Sequence, residues 1–353
     1  MPTTHDGLLI YGANGYTGKL VARRAVERGL RPTLAGRSAE GVAAVARRLG
    51  LPSVAVSLDD GPGLDAALEG HALVIHCAGP FRYTSRPMAS ACLRGGVHYL
   101  DITGEIGVFE DLARHDAEAR AVGVMLLPGA GFDVVPSDCL AAHLKRRLPS
   151  ATRLELAFRG LGGLSRGTAL TALEGLGRPG AVRRGGVIVP APVGRPARQV
   201  DFGRGPVSVA AIPWGDVSTA YHSTGIPDIT VYTAVPPALI GLMRLGGALG
   251  PLMAARPVQD VLRGLVRRRG PGPDDEARAR GLSLLWGEAA DDVGRRAAAR
   301  LRAPEGYTLT AATAVLIAEK VLAGQWAAGF QTPARAYGPD LIMELEGVER
   351  VDL

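Results

Sequence analysis

Residues 8–19 read LLIYGANGYTGK, and this stretch decides the fold. An apolar run ends abruptly in glycines, and an amphipathic segment follows directly. That is the order of a strand, a tight turn and a helix. Gly12, Gly15 and Gly18 stand at G-x-x-G-x-x-G spacing. The first suits a chain reversal, the second lets backbone approach a pyrophosphate, and the third lets the helix pack closely on the strand. A helix from about Tyr16 then turns its free N–H groups and the positive end of its dipole toward phosphates. The plain alternative is a strand–helix turn with no ligand.

The next strand is predicted over Pro32 to Gly36, and Arg37 and Ser38 follow it. A site for NAD places an Asp or Glu there to hold the ribose 2′-hydroxyl. This chain has no acid at that point. The Arg37 guanidinium suits a 2′-phosphate instead, so NADP(H) is expected over NAD(H). An ordinary surface arginine is the other reading. Lys occurs only at Lys19, Lys145 and Lys320, so nearly all of the 40 basic residues are Arg.

The alternation of strands and helices continues through the first 150 residues. Strands are predicted over Val54 to Ser57, Leu73 to Cys77, His98 to Asp101 and Val124 to Leu127. Helices are predicted over Glu40 to Leu49, Leu64 to Leu68, Pro87 to Arg94 and Val108 to Ala121. This spacing implies an α/β, Rossmann-type, doubly wound parallel sheet whose ligands bind at the C-terminal ends of the strands. The pattern then changes. Strands near 154–158, 187–189, 199–202, 207–212 and 229–235 and a hairpin of 282–290 with 293–302 predict a second, α+β domain with a mixed or antiparallel sheet. A helix is expected over Gly167 to Leu176, a broken helical region over Pro236 to Arg269, and a long helix over Tyr307 to Leu322. The expected division is a dinucleotide-binding domain over 1–150, a substrate-binding and dimerisation domain over 151–305, and a C-terminal helical segment over 306–353 that packs back on the first domain.

Composition narrows the function. With 353 residues, 47% hydrophobic and 21% charged, the chain is an ordinary globular one, long enough for two cores. Its net charge of +6 comes without a basic face interleaved with aromatics, which argues against nucleic-acid binding. Cys77, Cys92 and Cys139 have neither paired nor zinc-site spacing, so a reducing, cytoplasmic compartment is expected. The start MPTTHDG does not read as a signal peptide. The apolar stretch from about Ala234 to Ala255 is interrupted by Arg244 and Pro251. It reads as the wall of an apolar pocket or as a peripheral lipid contact, not as a span of a membrane.

Three strand tips carry the candidate chemistry. The fourth strand ends in Ala78-Gly79-Pro80-Phe81, where a nicotinamide ribose would lie. The fifth ends in Tyr99-Leu100-Asp101-Ile102-Thr103-Gly104-Glu105. Asp101 and Glu105 could orient a ribose, cap the next helix or move a proton. The sixth ends in Pro128-Gly129-Ala130-Gly131-Phe132-Asp133, followed by Pro136-Ser137-Asp138. There Asp133 or Ser137 either caps a helix or touches substrate. Tyr83 is the leading candidate proton donor, with Tyr99, Asp101 and Tyr221 behind it; wall packing is the commoner role of a tyrosine at such a place. His76 and His98 read as strand residues, and His222 as a possible contact to substrate. No metal-ligand cluster and no G-x-S-x-G elbow is seen.

The segments YGANGYTG, LAGRS, CAGPF, YLDITGE and PGAGFDVVPSD, in that order, resemble the saccharopine dehydrogenase-like oxidoreductases. EGYTLTAATAVLIAEKVLAG and QTPARAYG near the end are similar to the trans-acting enoyl reductase branch. The middle matches only at SRGTALTALEG. The resemblance implies an NADP-dependent Rossmann domain and a mixed-sheet domain that binds substrate and forms a homodimer. By motif position it places cofactor contacts at Gly12, Asn14, Gly15, Tyr16, Thr17, Gly18, Arg37, Ser38, Ala78, Gly79 and Phe81; Pro80 and Glu105, at the same strand tips, are expected beside them. It supplies no agreed catalytic acid. The apolar, Gly- and Pro-rich middle favours a bulky hydrophobic substrate, free or linked to a carrier or CoA, over a dicarboxylic amino acid. The expected reaction is hydride transfer from NADPH to a C=C bond conjugated to a carbonyl. A C=N acceptor, or a partner protein that senses NADP without turnover, are the alternatives.

Overall fold

The computed structural model describes residues 7–353 except 162, 164, 176–178, 239, 242–254 and 269. The chain divides into two compact units. The first comprises Met1–Val135 and Tyr307–Tyr337, and the second Pro136–Gly306 and Gly338–Leu353.

In the first unit, strand β1 (Gly7–Tyr11) leads into helix α1 (Tyr16–Glu27). There follow β2 (Thr33–Gly36), α2 (Ala39–Leu49), β3 (Ser53–Ala55), α3 (Gly61–Leu68), β4 (His71–His76), α4 (Phe81–Gly95) and β5 (His98–Asp101). Helices α5 (Ile106–Ala113) and α6 (Asp116–Ala121) then precede β6 (Met125–Leu127). A two-residue strand, Gly329–Phe330, adds to β6 from the C-terminal segment. The sheet is parallel throughout, with β3, β2, β1, β4, β5, β6 and then Gly329–Phe330 side by side. Order reverses between β1 and β4. In an open α/β sheet, ligands bind at that switch point, beyond the carboxyl ends of the strands. Leu9, Ile10, Leu34, Val74, Ile75, Tyr99 and Leu126 are all essentially inaccessible. These strands are therefore apolar on both faces, as a parallel sheet covered by helices requires.

Several elements depart from the sequence expectation, each for a local reason. Helix α4 begins at Phe81 rather than Pro87, because the Glu105 carboxylate binds the N–H groups of Phe81 (2.8 Å) and Arg82 (3.0 Å) and caps it from a distant strand tip. The helix expected over Val108 to Ala121 is two helices. At the break the His115 ring binds Asp111 O (3.0 Å), and Asp116 at the start of α6 accepts from Phe330 N (2.8 Å).

In the second unit, helix α7 (Val135–Arg147) leads to β7 (Arg153–Leu161), helix α8 (Arg166–Gly175), β8 (Gly180–Arg184), β9 (Val187–Ala191), β10 (Ala197–Asp201) and β11 (Pro206–Ala211). Helix α9 (Asp216–Thr224) and β12 (Asp228–Ala234) follow, then a helix over Arg256–Arg267 and the long hairpin of β13 (Leu282–Ala290) and β14 (Arg296–Pro304). The sheet is mixed. Strand β12 lies parallel to β7, and the pairs β10–β11, β11–β12, β7–β13 and β13–β14 are antiparallel. Strand β14 starts three residues later than expected. Asp291 gathers Val293 N (3.2 Å), Arg295 N (2.9 Å) and Arg295 Nε (2.6 Å), which fixes the turn through Arg295. One sheet face packs under α7: a side chain at Gly287 would lie 2.7 Å from Leu144 Cδ1 and 3.2 Å from Leu140 Cδ2. Strand Glu349–Asp352 pairs with β14, so the C-terminal segment, expected helical, also carries strand. Of the apolar stretch expected to line a pocket or touch lipid, residues 242–254 lie outside the described residues. No helix among the described residues is long and apolar enough to cross a membrane.

Candidate functional site

The turn after β1 is built around three missing side chains. Gly12 has φ +79°, and a Cβ there would lie 2.9 Å from both Ala78 Cβ and Ala78 N. A Cβ at Gly18 would strike the Gly12 carbonyl oxygen and come within 2.9 Å of Ala13 Cα. A Cβ at Gly15 would sit 3.2 Å from the same oxygen. Backbone bonds set the turn: Gly12 N donates to Ala35 O (2.8 Å) and Gly15 N to Gly12 O (2.9 Å). Gly15 is the N-cap of α1 and offers its first turn no side-chain acceptor, nor is any residue of that turn acidic. The positive helix end is left for a ligand. Tyr16 packs edge-on against Tyr307, with ring centroids 5.0 Å apart. Thr17 is partly buried in the same turn.

The corner after β2 lies beside this turn. The Asn14 side chain reaches it: Cβ atoms at Gly36 and Gly41 would come 3.3 Å and 2.9 Å from its Oδ1 and Nδ2. Ser38 accepts from Gly41 N (3.2 Å) and caps α2. Arg37 is exposed and pairs with no carboxylate among the described residues. Its positive charge opposes the effect of burial on Tyr11, whose hydroxyl is nonetheless pushed up by desolvation.

Ala78, Gly79, Pro80 and Phe81 form the link from β4 into α4, and Ala78 O accepts from Thr84 Oγ1 (2.7 Å). His76, at the end of β4, is fully buried among Tyr11, Phe81 and Tyr99, and desolvation pushes its pKa down to about 3, so its ring is neutral. Glu105 holds the start of α4 with both carboxylate oxygens. Asp101 has no exposed surface. It accepts from Tyr99 Oη (2.7 Å), Thr103 N (3.0 Å) and Gly129 N (2.9 Å), and so ties the tip of β5 to the tip of β6. Burial pushes its pKa up to about 6, against the pull of those three donors. This arrangement makes Asp101 a positioning residue. Tyr83 is 64% exposed on α4, and its hydroxyl accepts from Arg82 Nη2 (2.6 Å). Tyr221 belongs to the second unit, on α9, with the Arg183 guanidinium 4.2 Å from its ring centroid. The structure therefore brings the turn of Gly12–Gly18, the β2 corner and the β4 link to one edge of the first sheet.

One further residue stands out there. Asp133 follows β6, partly buried, with no hydrogen-bond partner among the described residues. Gly104 makes room for it: a Cβ on Gly104 would lie 2.8 Å from Asp133 Oδ2 and 3.0 Å from its Cβ. Desolvation pushes its pKa up to about 7. The surrounding loop is fixed by Phe132 N donating to Thr310 Oγ1 (3.0 Å), Thr313 Oγ1 donating to Ala130 O (2.7 Å) and Val135 N donating to Gly131 O (2.9 Å). The sequence marks Asp133 as a cap or a contact. Its lack of a partner depends on the long-range packing of Gly104, which no local pattern announces. Ser137, the other candidate there, donates to Asp216 within the second unit (2.9 Å). No group of three or more metal-ligating side chains occurs among the described residues.

A parallel sheet in this order, with a glycine cradle in its first turn, defines a dinucleotide-binding Rossmann domain. Residues 8–127 match the family described as the saccharopine dehydrogenase NADP binding domain. The expected cofactor, NADP, agrees with it. The chain is 33% identical over 149 residues to a trans-acting enoyl reductase of Mycobacterium leprae, covering 40% of this chain and 36% of the relative. It is 27% identical over 203 residues to a mouse saccharopine dehydrogenase-like oxidoreductase, covering 50% and 47%. The chain thus spans less than half the length of these curated relatives. In fold it is similar to apo saccharopine dehydrogenase (L-Glu forming) of Saccharomyces cerevisiae, with TM-score 0.68 and 14% identity over 98% of this chain and 99% of that one. The residues present fit NADP: Gly12 and Gly18 have no room for a side chain and so set the close turn, Gly15 is exposed at the uncapped start of α1, and Arg37 is exposed at the β2 corner.

Proposed function

We propose that this chain is an NADPH-dependent reductase acting on an activated C=C bond of a hydrophobic, enoyl-type substrate. The observation that carries the reading is the pairing of a glycine cradle with an unpartnered carboxyl, Asp133, among the strand tips of one sheet. When bound, NADPH supplies the hydride. Gly12 and Gly18 set the close turn, Gly15 leaves the start of α1 open to a pyrophosphate, and Arg37 would meet the 2′-phosphate while Ser38 shapes the corner. Asp101 and Glu105 hold the strand tips and the start of α4 in place. Asp133 carries a proton near neutral pH and would give it to the carbon next to the substrate carbonyl, the far carbon of the double bond taking the hydride. It then regains a proton from solvent. We assign this step to Asp133 rather than to Tyr83, which is 64% exposed on α4. The acceptor class follows the resemblance to the enoyl reductases. The test is stopped-flow loss of NADPH absorbance with a panel of enoyl and imine acceptors. Turnover of enoyl acceptors by the wild type, reduced roughly 10²–10⁴-fold in Asp133→Asn, supports the reading. Turnover of imines alone, or an active Asp133→Asn, overturns it.

A further inference from the structure

The second unit holds a cavity of about 620 Å³ between the β8–β9 hairpin and the start of β10. Its walls are Val182, Pro190, Ala191, Pro192, Pro196 and Ala197. Three of these are prolines, which offer no N–H, so the wall has few donors and is stiff. Pro190, Pro192, Pro196 and Ala197 are exposed, leaving apolar surface without cover. Arg184 and Arg195 are its charged lining residues.

The two guanidiniums differ in how they are held. Arg184 is fixed: Nη1 donates to Arg183 O (2.7 Å) and Ile229 O (3.3 Å), and Nη2 to Thr230 Oγ1 (2.8 Å). All three acceptors are neutral, so it makes no ion pair, and two of its five donors remain. The Arg195 side chain is exposed and has no hydrogen bond or ion pair among the described residues. A neighbouring cavity of about 390 Å³ also borders Arg184 and contains acids. Glu155 pairs with Arg198 and Glu288 with Arg296, while Asp228 accepts from the neutral Gly185 N and keeps its charge.

We infer that this cavity is a binding site for an anionic amphiphile, an acyl-type chain on the proline wall with a carboxylate or phosphate head between Arg184 and Arg195. The cavity is open to the surface, and its apolar wall beside two charges gives an amphiphile a place for its chain and for its head. Two guanidiniums outside any ion pair, at an apolar wall, favour a ligand that is apolar at one end and negative at the other. The inference stands on the second unit alone and does not depend on the reductase reading.

Calorimetric titration of the full chain with dodecanoate, dodecyl phosphate and dodecyl maltoside, all below their micellar concentrations, tests it. Both anionic probes are expected to bind at least about tenfold more tightly than the neutral one, and raised salt to weaken them. A preference between the two separates a carboxylate from a phosphate ligand. Arg195→Gln, an exposed substitution, is expected to cost roughly tenfold in affinity for the anionic probes. NADPH binding by the same variant, followed by fluorescence, is expected to stay at the wild-type value. No binding, equal binding of all three probes, or an unchanged Arg195→Gln overturns the assignment. So does self-association of the chain that Ala197→Glu abolishes, which would give the cavity to a second copy. Loss of NADPH binding would bear on the reductase reading only.

Discussion

Gly12→Ala tests the cradle most sharply, because two separable costs meet there. The first is conformational: φ is +79°, a region that costs an L-residue about 1–2 kcal/mol. The second is steric. The new Cβ would lie 2.9 Å from Ala78 N and Ala78 Cβ and 3.0 Å from Cys77 C, and neither backbone atom can swing away as a side-chain end would. Overpacking of this kind costs about 1–3 kcal/mol. The sum is about 2–5 kcal/mol, set against a total stability of about 5–15 kcal/mol for a typical protein. Gly50→Ala is the matched control: φ is +66° there and nothing lies within 4 Å of the new Cβ, so only the first cost applies. Urea denaturation of both variants reads the difference, and a NADPH titration reads the site. Gly12→Ala is expected to lose at least about 1 kcal/mol more than Gly50→Ala and at least about tenfold in NADPH affinity, while Gly50→Ala keeps wild-type affinity. Equal losses of stability with unchanged affinity in both would refute the argument that Gly12 is small in order to seat the turn against Ala78.

Arg37→Ala should weaken NADPH by roughly ten- to a hundredfold and leave NADH unchanged, since a charged hydrogen-bonded contact is worth about 1.5–3 kcal/mol; parallel fluorescence titrations decide it. Asp133 has a folded pKa of about 7 against an ordinary 3.8, so the fold binds its proton more tightly than the unfolded chain does. Its protonated form therefore adds stability that is full below about pH 4 and lost as pH rises through 7. Asp133→Asn should flatten that part of the stability–pH curve, and in the wild type kcat/KM should fall above about pH 7 as the acid ionises. Glu105→Ala removes the acceptor for the N–H groups of Phe81 and Arg82 and should cost about 0.5–2 kcal/mol in denaturation, with faster amide exchange at the start of α4.

What could be read in the sequence was what local chemistry decides. The first turn is legible because Gly12 and Gly18 are excluded from having side chains by atoms within a few residues or one strand away. The strands of the first sheet are legible because burial on both faces leaves continuous apolar runs. Long-range partners were not legible. The start of α4 depends on Glu105, 24 residues from Phe81, and the strand Gly329–Phe330 exists only because β6 offers an edge. Asp101 reads as a possible acid and is instead a pin between two strand tips, since its donors come from Tyr99, Thr103 and Gly129. Asp133 stands out only when Gly104 is seen to make room for it.

The most direct measurement is thermal denaturation of the purified chain with NADPH and, separately, NADH, paired with nicotinamide fluorescence. A ligand that binds only the folded state, at about 100 times its dissociation constant, adds about 2.7 kcal/mol. That stabilisation is expected from NADPH at concentrations where NADH gives little. A folded protein stabilised by neither, or by NADH alone, would contradict it.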